Sequence, residues 1–520
     1  MSQFVVAPML VALGTAILTL LVREYGRTQR AVSALGVLAY AATVAVFVAR
    51  VVPGRIVVYE LGNWSAPYGI VLVADSLAAF MLALTAVLAV PVLAFSLRSI
   101  DDFGQRLSYH PLFHFMLLGV TGAFLTGDIF NLFVWFEVML MSSYVLVVFY
   151  GGDRQTGAAL RYVVLNLVGS AVMLLAIGGV YAVTGTLNMA DISQYVATAD
   201  PAATAPILGL SALLFTVFAL KAGMVPLHFW VPGAYTAAPA PVTAMLAGVV
   251  KKVGIYAIVR LYFTIFAAAG FTVDLPGLGP EAGLLAFYAG VIFLMATAST
   301  FFGGIGAVGQ DELDGLLAYS SIGQVGFITL PLAIAAAVPA VGQLAIAATL
   351  VYALNHTLSK GLLFLVAGTI RDAAGSTDFH DLGGIAGRTP LVAGAFLVGG
   401  LGLVGIPPLA GFFGKLLVFR TAVEAGAWLP LGVALAGAVL TIAYVSRAWN
   451  RGFWGTQTPR VEGMQPDSIQ VVVIVVLAAL VVGVGVGFDP VFRFADAAAQ
   501  AALAREEYVT AVLGTGGGHA

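Results

Sequence analysis

Residues 221–233 read Lys221-Ala-Gly-Met-Val-Pro226-Leu-His228-Phe-Trp-Val-Pro232-Gly233, inside an otherwise apolar run. Proline removes a backbone donor and glycine loosens the turn, so a helix entering this stretch must break. Backbone without helical partners survives at membrane depth only where it is buried in protein or lines a wet cavity. A second stretch repeats the theme: Gly405-Ile-Pro407-Pro408-Leu-Ala-Gly411-Phe-Phe-Gly414-Lys415. Each carries a lysine, and the two lie five apolar segments apart. Paired interruptions in corresponding halves are the sequence mark of inverted-repeat membrane folds. Pro226, Pro232, Pro407 and Pro408 are therefore read as helix breaks, with a plain proline kink as the bland alternative.

Composition supports a membrane setting. The chain has 520 residues, 61% hydrophobic and 9% charged, with a mean hydropathy of +1.01. Soluble domains carry about 25% charged residues, so a soluble fold is excluded and an all-α integral membrane protein is expected. A net charge of −2 argues against nucleic acid as a partner. Absence of cysteine excludes disulfides, thiolate zinc sites and cysteine-ligated iron–sulfur clusters. The six histidines form no HExxH motif, so neither a catalytic metal nor a cofactor is expected.

A membrane-spanning helix needs about 20 apolar residues. On that rule candidate spans fall near 4–22, 31–52, 72–97, 111–127, 129–150, 158–183, 204–223, 240–267, 281–302, 313–337, 341–369, 391–424, 428–449 and 469–488. That is about fourteen transmembrane helices. The first run has no basic stretch before it, which fits a span better than a cleaved signal peptide. Residues 1–110 make an N-terminal three-span part, 111–268 and 281–450 two five-span units, and 469–520 the last span with its tail. The tail past Val491 is expected to be an amphipathic helix, and Gly514 to Ala520 disordered. Loops after odd-numbered spans hold Arg23, Arg27, Arg30, Arg98, Arg106, Arg154, Arg371, Arg388, Arg447, Arg451 and Arg460. Loops after even-numbered spans hold little beyond Arg55. The positive-inside rule then puts the odd loops in the cytoplasm and both termini on the outer side of the cell membrane.

All five lysines (Lys221, Lys251, Lys252, Lys360 and Lys415) sit in or beside apolar segments, whereas surface and loop cations are read as arginine. Arginine stays charged, but a buried lysine can release its proton. An ionisable group in the hydrocarbon layer costs about 2.5–3.5 kcal/mol, so keeping lysines there points to proton or cation movement. Glu137 stands about two turns into an apolar helix that follows Asp128, with Lys221 as its expected partner; a structural ion pair is the alternative. Lys251 and Lys252 diverge by about 100° on a helix, so they cannot share one cavity. Lys252 is expected to be the buried one, with Lys251 snorkelling, pairing locally or tuning its neighbour. His356 and Lys360, four apart, share a helix face and can hand a proton along. Asp75 and Asp128 read as interfacial caps or mouth residues. Two ammonium groups about 8 Å apart repel by roughly 2 kcal/mol at an effective dielectric near 20. Some of these amines are therefore expected to be uncharged at rest, each protonation displacing a proton from the next. A scaffold whose charges only lock helix packing is the competing reading.

Several stretches carry a resemblance. They are Gly127-Asp128-Ile-Phe-Asn-Leu-Phe-Val-Trp-Phe-Glu137, the Lys221–Gly233 stretch, Lys252-Val-Gly-Ile-Tyr256, Leu317-Ala-Tyr-Ser-Ser-Ile322, His356 to Lys360, Leu382-Gly-Gly384 and the Gly405–Lys415 stretch. In this order, over about residues 70–450, the chain resembles the antiporter-like subunits shared by Mrp-type multisubunit Na+/H+ antiporters and respiratory complex I, the Mrp D-type branch most of all. The resemblance implies fourteen helices with two inverted five-helix repeats, each with a broken helix. It also implies a coupled pair at Glu137 and Lys221, a central relay at Lys252, its extension through His356 and Lys360, and Lys415 in the exit half-channel. Implied partners are other membrane subunits of a hetero-oligomeric antiporter, the lipid bilayer, H+ and Na+. The chain would be a cofactor-free transporter subunit rather than an enzyme. The alternative is a proton-pumping membrane subunit of an NADH-quinone oxidoreductase or membrane hydrogenase complex. Relatives often carry basic residues where this chain has Asp314 and Gly315, and some place a histidine where Tyr352 stands.

Overall fold

The computed structural model describes residues 2–52, 54–269 and 283–514, apart from the side chain of Arg154. The end of the expected disordered tail and the expected start of the second five-span unit, at 281, lie outside the described residues. Helices α1 (Ala7–Leu21) and α2 (Gly26–Val51) lead to a hairpin of β1 (Val57–Glu60) and β2 (Val71–Ala74). Then come α3 (Ser76–Ser99), α4 (His110–Leu125), α5 (Ile129–Val147) and α6 (Asp153–Thr184). A short helix, α7 (Met189–Thr198), precedes α8 (Pro206–Ala222), α9 (Trp230–Ala237) and α10 (Ala240–Ala268). The rest is α11 (Leu284–Val308), α12 (Leu313–Ala337), α13 (Gly342–Ala374), α14 (Pro390–Val404), α15 (Ala410–Glu424), α16 (Trp428–Ala448) and α17 (Ser468–Val486). Two helices close the chain, α18 (Phe488–Leu503) and α19 (Arg505–Leu513).

Among the described residues, eleven helices are long and apolar enough to cross a membrane, and α1 and α14 are shorter apolar helices. The protein is an all-helical, multi-pass membrane protein with one small departure. Residues 72–74, which the apolar run assigned to the third span, belong to the strand Val71–Ala74, paired antiparallel with β1, Val57 opposite Ala74. An apolar run of this length does not distinguish a buried strand from a helix. The third helix starts instead at Ser76, capped by the Asp75 carboxylate, which accepts from Ala78 N at 2.8 Å. Asp128 caps α5 in the same way, accepting from Asn131 N at 2.6 Å. Both aspartates are caps, as their position suggested.

Burial separates a centre from a periphery. The most apolar window of α10 is fully buried and those of α12 and α13 are 94% buried, against about a third for α2, α6, α11 and α16. Two of these three central helices carry buried lysine or histidine, α10 with Lys251 and Lys252 and α13 with His356 and Lys360. The helix at the N-terminal end (Ser2–Phe4) and α19 both touch β1, so the first and last described helices share one face. Ion pairs Arg30–Asp102, Arg98–Asp467, Arg447–Asp311 and Arg460–Asp381 knit the arginine-bearing loops across the opposite face. Helix α18 turns Ala495, Ala498, Ala499 and Ala502 inward against α3 and α13, the amphipathic tail expected.

Both interruptions are present, but Pro232 is not part of the first: it lies in the first turn of α9, where a missing backbone donor costs nothing. α8 stops at Gly223 (φ +72°) and α14 at Gly405 (φ +89°), left-handed conformations that favour glycine. Each is followed three residues on by a cis prolyl bond, at Pro226 and Pro408. The freed backbone groups find side chains. Val225 N donates to Ser299 Oγ at 2.9 Å, Trp230 Nε1 to Leu220 O at 2.8 Å, and Asn355 Nδ2 to Gly402 O at 3.3 Å. Broken helices inside a bilayer require such partners.

Candidate functional site

The five lysines lie at the interior of the bundle, and none is more than 4% exposed. Lys221, in the last turn of α8, donates to Tyr162 Oη at 3.2 Å and faces the rings of Tyr162 and Trp230 at 5.4 and 5.6 Å. Tyr162 also hydrogen-bonds Ser143 on α5 at 2.9 Å. Glu137, half-buried on the same helix, accepts from Ser170 on α6. Among the described residues no contact ion pair, the alternative to a coupled pair, joins Glu137 to Lys221; Ser170 bonds the one and Tyr162 the other. The two groups still interact electrostatically. Helix spacing alone cannot set an interhelical distance, and a tyrosine from a third helix carries no sequence signal for this role.

Lys251 does not snorkel. It is as fully buried as Lys252, because α10 is enclosed on every side. Its amine donates to Ser321 O on α12 at 3.1 Å and faces Tyr235 at 5.8 Å. Lys252 points elsewhere, as the angle between adjacent residues requires. Its Nζ lies 2.6 Å from both Ala247 O and His356 Nδ1. A π-helical stretch, Leu246–Val250, makes this possible. In the wider turn the Ala247 carbonyl receives the lysine, and the Gly248 carbonyl receives Thr357 Oγ1 at 2.6 Å. No composition signal announces a π-turn.

His356 and Lys360 share one face of α13 as expected, and the amine of Lys360 donates to Leu317 O at 2.9 Å and to Ser320 Oγ. Beyond them lies an uncharged network missed in the sequence. Tyr352 donates to Gln324 Oε1, while Gln324 Nε2 donates to Tyr444 at 2.8 Å and Thr441 at 3.1 Å. Gln324, a lone amide in an apolar span, was the available clue. The Phe327 ring lies 5.4 Å from that of Tyr352 and under the Lys415 amine at 4.7 Å. Lys415 Nζ has no hydrogen-bond partner among the described residues. A Cβ on Gly405 would meet Lys415 Cδ at 3.1 Å, so the second break abuts its lysine.

Arginine is not confined to the surface. Arg260 on α10 is buried and paired with the equally buried Asp75, with its Nε 3.3 Å from Tyr256 Oη. At the arginine-bearing face, Asp314 accepts from Arg371 at 2.6 Å and from Thr377 at 2.8 Å.

Amines that meet imidazole, hydroxyl and carbonyl groups rather than carboxylates can hold or release a proton without breaking a salt bridge. Residues 126–441 match the family of NADH:quinone oxidoreductase/Mrp antiporter transmembrane proteins. The chain belongs to that family. It is 35% identical over 516 residues to the D-type Na(+)/H(+) antiporter subunit of Alkalihalophilus pseudofirmus, covering 99% of this chain and all of the relative. It is 36% identical over 448 residues to the N-type NADH-quinone oxidoreductase subunit of Desulforudis audaxviator, covering 85% and 84% of the two chains. A chain in the structure of the Mrp complex from Dietzia sp. superposes with a TM-score of 0.88 at 28% identity, covering 99% of this chain and 100% of that one.

Proposed function

We propose that this protein is the proton-translocating, antiporter-like subunit of a multisubunit Na+/H+ antiporter. In this reading protons move along Glu137, Lys221, Lys252, His356, Lys360 and Lys415, with Lys251 beside Lys252 in the row. The observation that carries the proposal is the Lys252–His356 contact at 2.6 Å, deep in the bundle and with no carboxylate in it. One proton can reside on either nitrogen there, so a charge arriving from one side can displace it to the other. The near-full-length similarity to D-type antiporter subunits supports the sodium-coupled setting. The chain would sit in the cell membrane with other membrane subunits of the complex, its arginine-bearing loops in the cytoplasm and its termini outside. Its fourteen spans would comprise two inverted five-helix units, each holding one of the two breaks.

The test is pH-gradient-driven sodium exchange by the intact purified complex in vesicles. Lys221→Ala and Glu137→Ala are expected to abolish exchange while the complex still assembles. Exchange at the wild-type rate in either variant sinks the proposal. A second reading, a membrane subunit of a redox-driven proton pump, is favoured by the 36% identity to the oxidoreductase relative. It predicts that the purified complex moves protons on oxidation of a reductant and needs no sodium.

A further inference from the structure

Lys252, Tyr256 and Arg260 stand at successive four-residue intervals on α10. They form a polar column about 12 Å long from the centre of the bundle toward the face that carries the first and last described helices. The column ends in the buried Arg260–Asp75 pair. Arg260 is held from several sides. Its Nε meets Tyr256 Oη, the Tyr508 ring of α19 lies 5.0 Å from its Cζ, and its Nη1 has no partner among the described residues. Tyr256 Oη is anchored on Phe124 O at 2.8 Å. Just beyond the pair is a cavity of about 390 Å³, with Asp75 and Ser76 in its wall alongside Arg55, Gln500 and Glu507. Helix α18 covers this region, tied down where Thr264 Oγ1 donates to Ala502 O at 2.6 Å.

An open polar column between a row of titratable amines and a polar cavity would short-circuit an exchanger. The group placed at that point is the one cationic side chain that does not deprotonate in proteins. A guanidinium cannot hand a proton on, and its fixed charge repels one that approaches, as arginines in other pores exclude cations. Asp75 keeps the guanidinium in place and makes its burial tolerable. We propose that Arg260, positioned by Asp75, Tyr256 and Tyr508, seals the central lysine row against the cavity on the terminal face. It thereby forces protons through the exchange route. The inference rests on the lysine row being the path.

The experiment uses the complete complex in vesicles with an imposed pH gradient and no sodium, and reads the decay of the gradient. Arg260→Lys keeps the cation and the pair but supplies a group that can release its proton. Decay is expected to accelerate about tenfold, the effect of lowering an electrostatic barrier by about 1.4 kcal/mol. When sodium is afterwards added, less of it is exchanged per proton dissipated. The neutral pair Asp75→Asn with Arg260→Gln is expected to leak as well. Adding Lys252→Met to Arg260→Lys is expected to close the leak, because the column then lacks its inner donor. Assembled complexes of both Arg260 variants that stay as tight as wild type overturn the seal, and so does failure of both to assemble, which assigns the pair to folding. A leak that survives Lys252→Met instead places the fault in the lysine-row reading.

Discussion

Replacing Lys252 by methionine separates a proton path from a scaffold. The substitution removes the amine and nearly preserves side-chain length. Two acceptors lose their donor, Ala247 O and His356 Nδ1, each at 2.6 Å. An orphaned buried acceptor costs about 1–3 kcal/mol, so the pair costs roughly 2–6 kcal/mol. In the other direction, a buried charge that no longer has to leave water returns several kcal/mol. The two nearly cancel, which leaves a net change of about 2 kcal/mol or less and a thermal midpoint within a few degrees of wild type. Transport has no such compensation. On the proposed path the contact that would carry a proton from α10 to α13 is gone, and exchange is expected to fall at least about a hundredfold, close to 2.7 kcal/mol on the barrier. The assay pairs the yield and melting of the purified complex with sodium exchange in vesicles. An assembled Lys252→Met complex exchanging within twofold of wild type refutes the reasoning. Loss of assembly together with unimpaired exchange in what remains supports the scaffold.

Lys360→Arg keeps a cation that Leu317 O and Ser320 Oγ can still accept, but one that does not deprotonate. Exchange in vesicles should be lost, whereas a purely electrostatic role would tolerate the change. Gly405→Ala forces a side chain into φ +89° and brings its Cβ 3.1 Å from Lys415 Cδ. A cost of about 1–2 kcal/mol in thermal stability and a fall in exchange are expected. Gly394→Ala, in helix α14 with nothing within 4 Å of the new methyl, should be neutral or stabilising by up to about 1 kcal/mol. At the arginine-bearing face, the hydrogen bond from Arg98 holds the Asp467 carboxyl below its ordinary 3.8. A folded-state value lowered in this way contributes stability that is present above the ordinary value and lost as pH falls through the lowered one. Melting curves of wild type should therefore show an acid-side loss below about pH 4 that Asp467→Asn lacks. Asp467→Ala also removes the cap on Ile469 N and Gln470 N and should cost about 1 kcal/mol at neutral pH.

Much of the site was legible in the chain because a charge in an apolar segment is conspicuous whatever surrounds it. The five lysines, Glu137 and His356 stand out against a chain only 9% charged. The breaks were legible for a related reason: proline and glycine act on the backbone locally, so Gly223-x-x-Pro226 and Gly405-x-x-Pro408 interrupt helices in any context. The helical segments followed from length and hydropathy. Asp75 and Asp128 could be placed as caps from their position before apolar runs.

What the sequence could not determine is who meets whom across helices. Lys251 and Lys252 differ in no local property, yet both are buried because α10 is surrounded. Glu137 and Lys221 were paired on charge and on the resemblance, but the hydrogen bonds each makes go to Ser170 and Tyr162. The π-turn that brings Lys252 to Ala247 O and His356 arises where α10 and α13 press together at Gly248 and Thr357. Arg260, inside the apolar run 240–267, has no partner legible nearby in the chain; Asp75, 185 residues earlier, closes on it. Local backbone chemistry and burial cost are written residue by residue, so a single chain carries them. Partnership depends on distances between helices, and only packing the whole bundle decides those.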